Sequence, residues 1–333
     1  MNPPRVTPED YIQFLLATPR ACTATEAARV RPDRPNAPAH DAFTRLLHRL
    51  EPDPTTLWAE VGPLVRRGDG VLVVDDTTLD KPHARHMQLV TRHWSGKHGQ
   101  VVSGINLITL VWTDGDRLYP TDYRVYHKAA DAKTKNDPFR DLVTEAHARG
   151  FRPRCVLFDS WYAGLDNFKL VQGFGWVFLG RFKGNRLVRL DRGKPTPVEA
   201  LPIAAVGTVV WLPGFGLVKV FRTVARDGDA EYWVTNDVGL DEVGRVVFAE
   251  LAWAVEEFHR GLKQYTGAER CQVRYGPAQR AHIGLAIRAF VRLEYHRFTT
   301  GVSWFEAKMR VVRDAVRAYL TRPTIILPGS ATA

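Results

Sequence analysis

The chain has 333 residues, 45% of them apolar and 25% charged, enough to bury the core of one large domain or two modest ones. Its formal net charge of +10 points to a polyanionic partner, nucleic acid or an anionic membrane surface, and no apolar run approaches the roughly 18 residues that span a bilayer. Three widely spaced cysteines outside any CxxC pattern, Cys22, Cys155 and Cys271, argue against a disulfide framework or a structural zinc site, and Met1-Asn2-Pro3-Pro4 opens no secretory segment, so the cytoplasm is the expected compartment.

In chain order, residues 8–61 read as short helices: 8–16 behind the cap Thr7, 23–28, 40–50, and 54–61 stopped by Gly62-Pro63. The Pro-rich turn Arg31-Pro32-Asp33-Arg34-Pro35 between two of them is compatible with a helix-turn-helix variant as well as with plain helical packing. At Val71-Leu72-Val73-Val74 the pattern becomes a strand buried on both faces, stopping at Asp75-Asp76. Strands near 86–94 and 101–112 follow as a hairpin, then a helix at 138–149, a short buried strand Cys155-Val156-Leu157-Phe158 ending in Asp159, a helix near 163–172 and a strand at 176–181. Between Lys183 and Asp237 the text is β-rich, with strands at 186–190, 208–211, 217–224 and 231–235, and reads as an insertion. Helical periodicity returns at 241–266, 277–297 and 303–320. The division is thus a helical 1–69, a core at 70–182, a β-rich insertion at 183–237, the second part of the core with C-terminal helices at 238–322, and a tail at 323–333.

Carboxylates just past the C-terminal ends of buried strands sit at a sheet edge, where open α/β sheets bind ligands. Asp75 and Asp159 both have that placement, although an Asp there also serves as a cap or turn former. Aspartate is a hard oxygen ligand suited to Mg²⁺ or Mn²⁺, and two such groups on adjacent strands can bridge a metal pair for in-line phosphoryl displacement. The helix near 251–264 offers a third carboxylate. Leu251, Val255, Phe258 and Leu262 form its apolar stripe, with Glu256, Arg260 and Lys263 along one flank and Glu257 and Gln264 along the other. Periodicity does not choose between the two glutamates, and a solvated face with a Glu256–Arg260 ion pair is the plainer alternative.

Val74-Asp75-Asp76-Thr77-Thr78-Leu79 resembles the first-aspartate motif, D-[G/D/E]-T, of the IS4-like bacterial insertion-sequence transposases, including their IS701 branch. Leu157-Phe158-Asp159-Ser160-Trp161-Tyr162 resembles their second-aspartate motif, and Trp253-Ala254-Val255-Glu256 running on to Leu262-Lys263-Gln264 resembles the segment with the glutamate and a lysine seven residues later. Arg92-His93-Trp94-Ser95-Gly96-Lys97 and Thr134-Lys135-Asn136 read like the same family's text. The resemblance covers about residues 70–295 and is specific in combination: three motifs in the required order, with a β-rich stretch before the glutamate. It implies an α/β fold with an RNase H-like mixed-sheet core, and a catalytic triad of Asp75, Asp159 and Glu256 holding two Mg²⁺ or Mn²⁺ ions. It further implies cut-and-paste transposition of an element recognised by its terminal inverted repeats, by a homodimer on double-stranded DNA at the nucleoid. It selects Glu256, because only that glutamate has a lysine seven positions on, while Asp76 stays open as the first carboxylate. Where the family has Tyr and Arg ahead of the glutamate this chain has Ala249 and Ala252, leaving Arg260 and Lys263 as substitute phosphate contacts.

Lys97 and Lys135 join Arg260 and Lys263 as candidate DNA-backbone contacts, and Trp211 and Trp233 as aromatics able to stack a flipped base, against a plainer reading as core residues. The clusters His127-Lys128, Arg181-Phe182-Lys183 and 186–194 could also track a phosphate backbone. No HExxH zinc spacing and no GxxxxGK[ST] phosphate loop occurs, which argues against ATP-driven chemistry. Two competing readings are a catalytically inactive DNA-binding protein derived from a transposase, and another RNase H-like nuclease such as a resolvase or repair enzyme.

Overall fold

The computed structural model describes residues 4–32, 37–51, 53–95, 99–128, 134–191, 193–224 and 228–325. The chain divides into two compact units. One comprises residues 1–52 with 261–333, the other residues 53–260.

The first unit is helical, with α1 Pro8–Ala17, α2 Ala24–Arg29 and α3 His40–Arg49 packed with two C-terminal helices described below. Thr7 and Asp10 cap α1 reciprocally, the Asp10 N–H donating to Thr7 Oγ1 at 3.2 Å and the Thr7 N–H to Asp10 Oδ2 at 2.8 Å, with Pro8 at the first position where its missing N–H costs nothing. The Pro-rich turn expected at 31–35 lies partly outside the described residues.

The second unit is built on a nine-stranded mixed sheet. After α4 (Pro54–Val61) come β1 (Val71–Asp80), β2 (Thr91–Ser95), β3 (Gln100–Thr113) and β4 (Leu118–Tyr126). Then follow α5 (Asn136–Ala148), β5 (Cys155–Phe158), α6 (Leu165–Gly173) and β6 (Phe178–Phe182). A two-stranded ribbon, β7 (Leu187–Val188) with β8 (Thr196–Pro197), precedes β9 (Thr208–Leu212), β10 (Gly216–Val224) and β11 (Ala230–Thr235). The main sheet runs β2-β3-β1-β5-β6-β11-β10-β9, with β4 also on β3. β1, β3 and β4 are antiparallel neighbours, while β5 and β6 add in parallel through the crossover helices. α5 packs on β3 and β4, and α7 (Glu242–Ala252) on β5 and β1.

Three features depart from the sequence reading. β4 was missed because Pro120 and Asp122 are poor strand residues. Pro120, lacking an N–H, sits at a bulge where Val111 faces Pro120 and Leu110 faces Asp122, leaving Thr121 as the extra residue with its hydroxyl donating to Leu110 O at 3.1 Å. The β-rich stretch read as an insertion hydrogen-bonds onto the core sheet, β11 pairing with β6 from Tyr232↔Phe182 to Thr235↔Leu179. Which edge a hairpin joins is a long-range choice that its own residues do not encode. The single helix expected at 241–266 is two, α7 and α8 (Ala254–Tyr265), parted at Trp253, whose N–H turns back to Glu250 O with no Gly or Pro to signal the break. The division between the two units falls within α8, between Arg260 and Gly261.

In the helical unit, α9 (Gly276–Thr300) is buried nearly all round and ends at Gly301, whose φ of 71° is the left-handed cap that favours glycine. α10 (Trp304–Thr321) starts behind Ser303, whose hydroxyl accepts the Glu306 N–H at 3.2 Å. Cys22, Cys155 and Cys271 are free and buried, and among the described residues no helix is long and apolar enough to cross a membrane.

Candidate active site

β1 continues five residues past Asp75, yet its parallel ladder with β5 stops at Val74↔Phe158. Asp75 and Asp159 are therefore the next residues on two neighbouring strands, about 4.8 Å apart, leaving the shared ladder at one level. This is the strand-end placement expected from the sequence, set by the end of β5 rather than of β1.

Successive strand side chains point to opposite faces, so Asp75 and Asp76 cannot serve the same face. Asp75 lies opposite Thr109 of β3, and Thr109 Oγ1 is 2.9 Å from His259 Nε2 of α8. Directly opposed residues of antiparallel strands share a face, so α8 lies over the Asp75 face, and Glu256 precedes His259 by one helical turn. Burial is the main cause that pushes the Asp75 carboxyl well above the ordinary range, followed by the charges of Asp76, Asp159 and then Glu256. Glu256 is exposed, whereas Glu257 faces Arg260 at 3.9 Å, so the ion pair to Arg260 involves the other glutamate from the one expected.

Asp76 faces the other way, into a polar cluster. Its Oδ2 accepts from Lys135 Nζ at 2.7 Å and Asn106 Nδ2 at 2.8 Å, and its Oδ1 accepts from the Tyr162 hydroxyl at 3.2 Å. Lys135 also lies 5.4 Å from the centre of the Trp161 ring. The turn after β5 is an Asx turn, the Trp161 N–H donating to Asp159 Oδ1 at 2.9 Å. Buried Asn167 holds that turn through the Tyr162 carbonyl at 2.8 Å and reaches Asn136 Oδ1 at 2.7 Å, next to Lys135. The Asp159 carboxyl is raised by burial and then by Asp76, an effect opposed by the Trp161 and Tyr162 N–H groups and by Lys135. Burial and the same carboxylates push the Tyr162 phenol well up.

Asp75, Asp159 and Glu256 form an oxygen-only donor set whose mutual repulsion a hard divalent cation would offset, and in that chemical sense the residues fit Mg²⁺ or Mn²⁺. Among the described residues no three acidic, His or Cys side chains already stand together at metal-ligand distances. The other sequence candidates are dispersed. Lys135 is engaged with Asp76, Lys263 in the helical unit pairs with Glu269 at 3.3 Å, and Arg260 is exposed. Lys97 lies outside the described residues. Trp233 is buried on β11 with Arg181 5.2 Å from its ring centre, while Trp211 is exposed on edge strand β9. Sequence reasoning passed over Asn106, Thr109, Trp161, Asn167 and His259. For the two on β3 the signal was present: polar residues inside the apolar run 105–112, both buried, need partners.

A family profile described as DDE superfamily endonuclease matches residues 9–200. A cryo-EM structure of piggyBac transposase in a synaptic complex with hairpin DNA is similar at TM-score 0.53 and 12% identity, covering 100% of this chain and 78% of that one. It shares the RNase H-like mixed-sheet core expected from the sequence. The Drosophila P element transposase strand transfer complex aligns at TM-score 0.28 and 9% identity over 96% of this chain and 87% of that one, too low to support a structural argument. No curated protein matches the sequence significantly.

Proposed function

Because this chain belongs to the DDE superfamily of endonucleases, as its family match over residues 9–200 shows, we propose that it is a DNA transposase that cuts DNA at the ends of a mobile element and joins the freed ends to a target. The observation that carries this reading is that Asp75 and Asp159 leave the β1–β5 ladder at one level while the charge of Glu256 acts on Asp75. Three carboxylates from segments far apart in sequence thus belong to one electrostatic cluster. In the proposed roles Asp75, Asp159 and Glu256 hold two Mg²⁺ or Mn²⁺ ions, and Asp76 is a support residue because its carboxylate is committed to Lys135, Asn106 and Tyr162. Such ions, when bound, stabilise the attacking and leaving oxygens of an in-line phosphoryl displacement. The protein's part is to fix the carboxylates: Asn167 and the Asx turn orient Asp159, the β1–β3 ladder orients Asp75, and the His259–Thr109 hydrogen bond holds α8 over it. Arg260 and Lys263 are proposed as phosphate contacts, the latter exchanging Glu269 for DNA; Lys97 joins them on sequence grounds alone.

The N-terminal helices are proposed to bind the element's terminal inverted repeats, the active form to be a homodimer on paired ends, and the IS4-like branch to be the family's finer placement. Fold and motif order support these readings together with the +10 charge. The test is incubation with Mg²⁺, DNA carrying the element's own ends and a plasmid target, with the products sequenced. Element ends joined through their 3′-hydroxyls to the plasmid support transposition; cutting without joining supports another RNase H-like nuclease; binding without cutting supports the inactive DNA-binding reading.

A further inference from the structure

We propose that the Trp161 indole is the stacking platform for the nucleobase beside the phosphate being cut, an inference that rests on the DNA-cleaving reading above. Trp161 follows Asp159 by two residues, which keeps the two Cα atoms within about 7 Å. The hydrogen bond from its N–H to Asp159 Oδ1 makes one turn set both the carboxylate and the indole. Its neighbours face inward, Phe158 at 4%, Tyr162 at 0% and Ala163 at 9% exposure, while Trp161 is 56% exposed. The fold gains no core from this side chain, and an exposed large aromatic beside a carboxylate cluster calls for an occupant.

The ring is also held. Lys135 lies 5.4 Å from its centre, and that ammonium is fixed by Asp76 at 2.7 Å, both side chains being 18% exposed. Asp76 in turn is tied to Asn106 and Tyr162. Lys135 and Asp76 are thereby positioning residues for the indole, reducing the conformational entropy lost when a base stacks on it. A nucleobase is the fitting ligand because an indole face offers stacking to any base, and carboxylates beside it disfavour a further phosphate. Cutting a strand within the site draws the adjoining base out of its duplex stack, and an aromatic platform offsets that loss.

The other tryptophans are worse placed. Trp233 is buried at 7% exposure under Arg181. Trp211 is exposed but lies on β9, four strand spacings from β5, about 19 Å away. Trp253, 61% exposed and three residues before Glu256, has no ring or cation contact holding it among the described residues, so Trp253→Ala is the natural control.

The experiment measures single-turnover cleavage of DNA ends by wild type, Trp161→Ala, Trp161→Phe, Lys135→Met and Trp253→Ala, each also assayed for duplex binding. Each end carries either normal nucleotides or an abasic nucleotide on one or the other side of the cut. Loss of one base–aromatic stack predicts cleavage by Trp161→Ala slowed about 10- to 100-fold with duplex binding unchanged, and most of it restored in Trp161→Phe. Lys135→Met should fall between Trp161→Ala and wild type, and Trp253→Ala should match wild type. At one of the two positions the abasic nucleotide should slow wild type by a similar factor and Trp161→Ala no further. Cleavage by Trp161→Ala at the wild-type rate, or factors that multiply at both abasic positions, would overturn the inference. A wild type that binds but never cuts would instead sink the nuclease reading, and this inference with it.

Discussion

Lys308 offers a quantitative test of the helical unit. It is 8% exposed, and its ammonium donates to Leu15 O at 2.7 Å and to Tyr265 O at 2.9 Å. Both carbonyls lie at helix C-termini where the backbone leaves acceptors unpaired; the residue four beyond Leu15 is Pro19, which has no N–H, and Tyr265 is the last residue of α8. One buried cation therefore caps two helices and meets the negative ends of both dipoles. Burial lowers its pKa from the ordinary 10.5 to about 8, with Arg270 adding to the effect and Cys22 opposing it. Because the folded value lies below the unfolded one, the contribution to stability is fully present above pH 10.5 and is lost as pH falls through 8. The gap of about 2.5 units at about 1.36 kcal/mol each sets the swing near 3 kcal/mol, as an upper bound. Lys308→Met removes both the titration and the two carbonyl bonds, whose loss at about 1–3 kcal/mol each is partly offset at pH 7 by the ammonium no longer being desolvated. Urea unfolding of both proteins from pH 7 to 10.5, followed by circular dichroism, should give nearly equal stabilities at pH 7 and a gap widening toward 3 kcal/mol, with wild type the more stable at pH 10.5. Taking the difference between the proteins cancels the other groups that titrate there. Parallel curves across the whole range would refute the reasoning.

Asp75→Asn should abolish cleavage and, without divalent metal, raise the melting temperature at pH 7 by about 2–6 °C. The raised Asp75 value means its contribution to stability is present below the ordinary 3.8 and lost as pH rises through the folded value, so the advantage of the variant should vanish near pH 3.5. Gly180 pairs with Phe158, and a Cβ there would stand 2.5 Å from the Phe158 ring; Gly180→Ala should cost about 1–3 kcal/mol by urea unfolding, and a loss under 0.5 kcal/mol would show that the ring moves aside freely. Trp233→Ala should cost about 3–5 kcal/mol because its ring is buried, and Trp211→Ala should stay within about 0.5 kcal/mol, since its ring is exposed; equal losses in thermal melts would contradict that distinction.

Elements with strong local signals were legible in the sequence. The apolar run 71–74, the strand 155–158, the cap at Thr7 and the 3.6-residue stripe Val255, Phe258, Leu262 each define their element through nearest neighbours, and each stands within a residue or two of its reading, apart from β1, which continues to Asp80. What failed was long-range or lacked a breaker residue. β4 hides behind Pro120, the helix breaks at Trp253 without glycine or proline, and the addition of β9–β11 to the core sheet depends on which edge lies open. The candidate carboxylates were legible because strand ends and helix stripes are local. The division of labour between Asp75 and Asp76 was not: alternation puts them on opposite faces, but only β3 and α8 show which face meets Glu256. Asn167 and His259, far in sequence from the groups they hold, carried no motif at all.

The measurement that bears most directly on the central claim is metal-dependent cleavage of end DNA by Asp75→Asn, Asp76→Asn, Asp159→Asn, Glu256→Gln and Glu257→Gln, with DNA binding confirmed for each. The account predicts that the variants at 75, 159 and 256 bind but do not cut, that the variant at 76 cuts more slowly through its loosened grip on Lys135 and Tyr162, and that the variant at 257 cuts like wild type. Cleavage that survives Glu256→Gln but not Glu257→Gln, or that survives Asp75→Asn but not Asp76→Asn, would contradict the assignment of these faces to the metal site.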